Sequence, residues 1–208
     1  MEQNKIKIIG LTGGIATGKT TVKDMLIKNG YKVIDADEIS REVVKRDKPA
    51  YKDIVELFGK NVLKSNNEIN REKLGDIIFN KKDLRNKLNE IVHPRIYESI
   101  KKNIYKYIKE NEKMIFIDIP LLIEVRKTLE KENIIFDEIW LIYANKDEQI
   151  RRLMNRDGYT LKEAMSRINS QIDIDEKIKY CDIVIDNSRD IEHTKRQLKV
   201  ALNKNDFM

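Results

Sequence analysis

One cysteine, Cys181, stands alone among 208 residues, so no intramolecular disulfide can staple the fold. Proline, with 3 residues, and glycine, with 8, are scarce as well, which excludes the collagen-like and Pro/Gly-rich disordered classes. The longest apolar runs, such as Met114-Ile115-Phe116-Ile117, are far too short to cross a bilayer. The opening residues, Met1-Glu2-Gln3-Asn4-Lys5-Ile6, lack the charged-apolar-small order of a signal peptide. These absences point to a cytoplasmic protein with no membrane partner.

Charge is what the chain has in quantity. Charged residues make up 37% and hydrophobic residues 40%, with a formal net charge of +6. Lysines and carboxylates are interspersed and form no long block of one sign, which reads as a solvated surface and not as a nucleic-acid interface. A local positive excess would still favour a phosphorylated substrate. The length allows a sizeable core, and a monomer or weak homo-oligomer is expected.

Five short runs have the near-continuous apolar character of parallel strands covered on both faces: 6–11, 31–34, 113–118, 138–143 and 182–185. Helical patterns lie between them. Val22, Met25 and Leu26 form a stripe that ends at Gly30, and a helix is expected to start after Pro94. Asn145 with Glu148, and Thr160 with Glu163, have capping-box spacing. The gap between the second and third runs is longer than a crossover needs and holds only helical patterns, including Leu84/Leu88/Ile91. The expected fold is α/β, a P-loop NTPase fold with a five-stranded parallel sheet, a helical insertion and a helical lid. The expected nucleotide-binding core is 1–40 with 113–208, the insertion 41–112, and the lid 145–177.

Gly13-Gly14-Ile15-Ala16-Thr17-Gly18-Lys19-Thr20 follows the first strand and opens a helix, the setting a phosphate-binding loop requires. Its glycines let successive N–H groups curl toward phosphate oxygens, and the helix aims its positive end at the same anion. Lys19 brings a point charge to the outer phosphates, and the Thr20 hydroxyl can ligate Mg²⁺. The predicted contacts of ATP are Gly14, Ile15, Ala16, Thr17, Gly18, Lys19, Thr20 and Thr21. Beyond the second strand, Asp35-Ala36-Asp37-Glu38 offers a carboxylate that could take a proton from an attacking hydroxyl, and a cap for the next helix. Asp118 ends the third strand as a Walker-B-like residue would. Among Arg151, Arg152 and Arg156, the last sits at the Gly158 turn and is the expected lid arginine over the triphosphate.

These motifs occur together in one order. Leu11 to Thr21, Val33-Ile34-Asp35-Ala36-Asp37, His93-Pro94, Pro120-Leu121-Leu122-Ile123-Glu124, Arg156-Asp157, then Arg167, Gln171 and Lys177 before Cys181 to Asn187, span most of the chain, and it resembles the dephospho-coenzyme A kinases. The resemblance implies transfer of the ATP γ-phosphate to the ribose 3′-hydroxyl of dephospho-coenzyme A, the final step of coenzyme A biosynthesis. It implies Asp37 as general base with Lys19 and Arg156 as catalytic partners. It also implies an acceptor held through Asp37, Arg41, His93, Leu121 and Glu124 in and beside the insertion, with Asn187 lining the adenine end of the ATP site. The sequence departs from the family pattern at three places. Ala16 and Thr17 stand where Gly and Ser are usual, Ile123 where Phe is frequent, and Ser188-Arg189 where a Gly often follows Asn187. An alanine at position 16 is harmless at negative φ and strained at positive φ.

Two other readings of the loop stay open on residues alone. One is a kinase of another small molecule, such as a nucleoside monophosphate. The other is an NTPase switch, although Asn145-Lys146-Asp147 lacks the spacing of a guanine-reading motif.

Overall fold

Residues 6–79 and 81–206 are described by the computed structural model. Five strands form one sheet in the order β2-β3-β1-β4-β5. They are β1 (Lys7–Gly13), β2 (Lys32–Asp35), β3 (Met114–Asp118), β4 (Glu138–Tyr143) and β5 (Ile183–Asp186). β1 runs parallel to both β3 and β4, and β4 runs parallel to β5. The described helices are α1 (Lys19–Lys28), α2 (Ala36–Glu42), α3 (Pro49–Phe58), α4 (Arg71–Phe79), α5 (Lys82–Lys109), α6 (Leu122–Lys131), α7 (Lys146–Asp157), α8 (Leu161–Asn169), α9 (Ile174–Ile178) and α10 (Ile191–Asp206). Among the described residues no helix is long and apolar enough to cross a membrane.

The central strands are apolar because both of their faces are covered. All five residues of β3 are buried, and Ile9 and Leu11 of β1 are fully buried. On one face, Phe116 meets Trp140 edge-on at 5.2 Å and Tyr31 edge-on at 5.6 Å. Val22 and Leu26 of α1 and Leu198, Ala201 and Leu202 of α10 complete that layer. On the other face, Gly10 admits its neighbours because it has no side chain. A Cβ there would lie 2.5 Å from Leu122 Cδ2 and 3.0 Å from Phe136 Cδ1. The α1 stripe ends as its sequence predicts, with Gly30 at φ +89° and Tyr31 N–H returning to the Leu26 carbonyl.

The chain packs as two units, one holding it through Ile34 and again from Tyr107 onward, the other Asp35–Lys106. The sequence placed these borders at 40/41 and 112/113. Packing moves both earlier, since α2 starts at the residue after β2 and α5 runs on without a break toward β3. The second unit has its own core of Ile54, Val62, Ile69 and Leu74, joined by Leu88 and Ile91 of α5. Between its helices lie a short 3₁₀ turn, Lys60–Val62, and a single antiparallel bridge, Leu63 to Ile69.

The expected helix start after Pro94 is replaced by one helix that carries the proline inside it. A proline there removes an N–H and crowds the carbonyl one turn earlier. Next to it, Arg95 donates to the Ile91 carbonyl at 2.5 Å and pairs with Asp53 of α3, bracing the weakened turn.

Candidate active site

β1 delivers the phosphate loop and α1 receives it. Gly13 is tightly packed: a Cβ would sit 2.6 Å from Thr17 Oγ1 and 2.9 Å from the Ile142 carbonyl. Gly18, at φ +85°, would push a Cβ to 2.1 Å from Asn187 Nδ2, so only glycine fits. Gly18 supplies no side-chain cap, which leaves the first-turn N–H groups of α1 open to an anion. Ala16 is at φ +59°, the left-handed region, so the strained alternative holds at this position.

Lys19 forms an ion pair with Asp118, which is buried at the end of β3. The strand therefore holds the ammonium beside the loop, and the exposed Thr20 hydroxyl follows it on α1. Thr17 is fully buried and donates its hydroxyl to the Gly14 carbonyl at 3.0 Å. Its bond shapes the loop from within. Thr12 ties the loop's entry to the segment after β3 by donating to the Pro120 carbonyl at 3.0 Å.

Three side chains from distant elements hold the loop's outer surface. Asn187 donates Nδ2 to the Thr17 carbonyl at 2.7 Å and accepts from Thr194 Oγ1 at 2.8 Å. Its amide thus ties the end of β5 to the loop. Gln171 accepts from the Ile15 N–H at 3.0 Å. Arg152 donates to the Ala16 carbonyl at 3.2 Å and to the Asn187 carbonyl at 2.6 Å, while Glu148 holds its Nε at 2.7 Å. Ser188, where a Gly is frequent in the family, accepts from the Asn145 N–H at 3.0 Å and so secures the turn after β5.

Arg156, the expected lid arginine, makes its hydrogen bonds away from the loop. It pairs with the adjacent Asp157 at 2.9 and 2.8 Å on an exposed surface, and these hydrogen bonds, helped by the opposite charges, raise the guanidinium pKa and lower that of the carboxyl. Arg152 lies one helical turn earlier and touches the loop. The signal for it was the Asn145–Glu148 spacing, read as a box. Asn145 does accept from the Glu148 N–H at 2.9 Å, but the Glu148 carboxylate is drawn to Arg151 and Arg152, whose hydrogen bonds hold it below the usual carboxylate range. The Thr160–Glu163 box forms in full.

Glu124 also serves a partner the sequence did not reveal. Its carboxylate lies 2.8 Å from Nζ of Lys177 in α9, a side chain with no exposed surface. The approach is too oblique for a directed hydrogen bond, so the buried ammonium is held by charge alone. Leu121, just before α6, is exposed.

The remaining predicted residues belong to the second unit. Asp35 accepts from the Glu38 N–H at 2.9 Å and caps α2. Asp37, two residues on, is exposed, and its carboxylate has no hydrogen bond among the described residues. Arg41 lies one turn further along α2. His93, an exposed residue, sits 3.5 Å from the Tyr97 hydroxyl, and partial desolvation of its ring lowers its pKa. Among the described residues no group of three or more His, Cys, Asp or Glu could hold a metal ion. That donor set fits an ion carried mainly by substrate phosphates, with one hydroxyl from Thr20 and the Asp118 carboxylate nearby.

Comparison with known proteins agrees with this architecture. A family described as CoaE: Dephospho-CoA kinase matches residues 7–193. A protein named dephospho-CoA kinase from Carboxydothermus hydrogenoformans is 42% identical over 199 residues, 96% of this chain and 94% of its own. One from Bacillus cereus is 45% identical over 197 residues, 95% of this chain and 96% of its own. Among solved structures, the dephospho-CoA kinase from Campylobacter jejuni superposes with a TM-score of 0.70 at 30% identity, covering 95% of this chain and 96% of its own. The Thermus thermophilus protein TT1252 reaches 0.79 at 27% identity, over 96% and 97%. A shikimate kinase from Bacteroides thetaiotaomicron, at 15% identity, shares the fold with a TM-score of 0.50 and covers 96% and 98%.

Proposed function

The chain belongs to the dephospho-CoA kinase family, and from that premise we propose how its residues divide the reaction. It is an ATP-dependent kinase that phosphorylates dephospho-coenzyme A to coenzyme A, the final step of coenzyme A biosynthesis. The observation that carries this reading is the family match across residues 7–193, with Gly13 to Lys19 folded as a phosphate cradle inside it.

The cradle binds the triphosphate through the N–H groups that open α1 and through Lys19, held by Asp118. The ribose 3′-hydroxyl of the acceptor attacks the γ-phosphorus. Its O–P bond forms as the bond to the β-phosphate oxygen breaks, and ADP leaves. Asp37 takes the hydroxyl proton; its exposed carboxylate with no hydrogen bond to the described residues supports that role. Thr20 and Asp118 are the residues that would hold Mg²⁺, whose chemistry is to neutralise charge on the phosphates. Arg156, exposed at the Gly158 turn, is free to swing onto the transferring phosphoryl, with α7 and α8 acting as a lid. The unit Asp35–Lys106 receives the acceptor. A cytoplasmic monomer fits this activity, with no role for nucleic acid.

The test is a steady-state assay with dephospho-coenzyme A set against several nucleoside monophosphates. Phosphorylation of dephospho-coenzyme A alone is expected, and its absence would overturn the activity. Asp37→Asn should lower kcat by about 10² or more with KM for ATP unchanged. Lys19→Ala should abolish turnover. Loss of ATP binding in Asp37→Asn would make Asp37 an organiser of the site instead of its base.

A further inference from the structure

A concave surface of about 780 Å³ lies wholly inside the unit Asp35–Lys106, a size that suits part of a small molecule. Its floor includes Val44 and Ile69, and Ile69 belongs to that unit's buried core. Its walls carry Arg41, Lys45 and Arg46 from the end of α2 and the turn after it, Lys64 from the turn between the bridge residues Leu63 and Ile69, and Arg71 from the start of α4. Two carboxylates, Glu68 and Glu72, share the lining.

Most of these cations lack a counter-ion. Lys45 pairs with Glu42 at 2.5 Å, and Arg46 has only a distant contact, 3.8 Å, with its neighbour Asp47. Arg41, Lys64 and Arg71 pair with no carboxylate among the described residues. Cations gathered around a concave surface repel one another, and a bound anion would relieve that repulsion. The backbone adds to the field. Asn70 caps α4 by accepting from the Lys73 N–H at 3.1 Å, so the positive end of a nine-residue helix opens onto the cleft beside Arg71. The cleft is firmly built: Lys64 N–H donates to the Glu68 carbonyl at 2.8 Å, and Tyr51 pins the turn by donating to the Asn67 carbonyl at 2.6 Å.

We propose that this cleft holds the diphosphate of the acceptor, with Arg41, Lys64 and Arg71 as its principal ligands. The inference rests on dephospho-coenzyme A being the acceptor, and it adds the place where that molecule's charge is met. Guanidinium groups match phosphoryl oxygens in bidentate geometry. Glu68 and Glu72 moderate the field, so the cleft suits a diphosphate diester better than a free triphosphate.

The test compares the unmodified protein with Lys64→Ala, Arg71→Ala and Arg71→Lys in steady-state kinetics, with melting curves to confirm folding. Each alanine variant should raise KM for dephospho-coenzyme A about tenfold or more, with KM for ATP unchanged and kcat within about twofold. Arg71→Lys should recover part of the loss, and the ionic-strength dependence of the acceptor KM should flatten in the alanine variants. An unchanged acceptor KM, or a rise confined to ATP, would overturn the proposal. If the unmodified protein itself left dephospho-coenzyme A unphosphorylated, the assigned activity would fall, and the cleft would be judged by calorimetric titration of dephospho-coenzyme A. Equal binding to the unmodified protein and Arg71→Ala would then refute the cleft as well.

Discussion

Arg152 donates a 2.6 Å hydrogen bond to the main-chain carbonyl of Asn187, joining α7 to the end of β5 directly over the phosphate loop. The same guanidinium reaches the Ala16 carbonyl and is steered by Glu148. Arg152→Ala should therefore loosen the loop: KM for ATP is expected to rise about tenfold, with a fall in Tm. Arg156→Ala removes only an exposed pair and should leave Tm within the noise, while lowering kcat by about 10² as a lid arginine would. Kinetics and melting of the two variants side by side separate the bracing arginine from the mobile one.

Glu124 and Lys177 form a buried-cation pair, and its two halves should behave unequally when broken. Glu124→Ala strands an ammonium with no exposed surface and should cost about 3 kcal/mol in urea unfolding. Lys177→Met should cost less. The double replacement Glu124→Leu with Lys177→Met should regain most of the loss. A Glu124 that served only the acceptor would leave the urea midpoint unmoved and change KM alone.

Ala16 keeps a left-handed backbone, φ +59°, in a loop where glycine is usual. An L-residue there is strained by about 1–2 kcal/mol, and part of that is offset because alanine restricts the unfolded chain. Ala16→Gly should raise stability by about 0.5–1 kcal/mol, read from the urea midpoint at constant m-value.

Burial pushes the Cys181 thiol pKa up to about 11, with Asp182 adding to the effect, and Sγ donates to the Lys177 carbonyl at 3.2 Å. At pH 8 roughly one thiol in a thousand is ionised, so iodoacetamide should react with native protein far more slowly than with urea-unfolded protein. The sign for stability follows. The folded state holds this proton more tightly, so its stabilising effect is complete below pH 9.0, the ordinary value, and is lost as pH climbs toward about 11. The decline in urea midpoint over that interval should be smaller in Cys181→Ala.

The strands, the loop and the Thr160 cap were legible because each follows from local chemistry: apolar runs, glycine spacing, a hydroxyl three residues before a glutamate. What local chemistry left open is decided by tertiary contacts. Arg152 and Arg156 sit one helical turn apart on α7, and only the tertiary position of Asn187 decides which touches the loop. The burial of Lys177 was not legible, because lysine rarely goes inside without a partner and its partner lies 53 positions away in α6. Pro94 signals a helix boundary by local rules, and packing of Leu88, Ile91 and Val92 into the second core overrides it.

Asn187 and Thr17 are separated by 170 positions, yet their hydrogen bond fixes the curl of the loop. During synthesis the phosphate-binding segment emerges long before its brace. Until β5 docks against β4, the loop lacks Asn187, and a segment made earlier must wait for a later one to acquire its working shape. Competence to bind nucleotide thus reports completion of the whole sheet, and a nascent chain stalled before Asn187 would carry the motif in full and grip nothing with it.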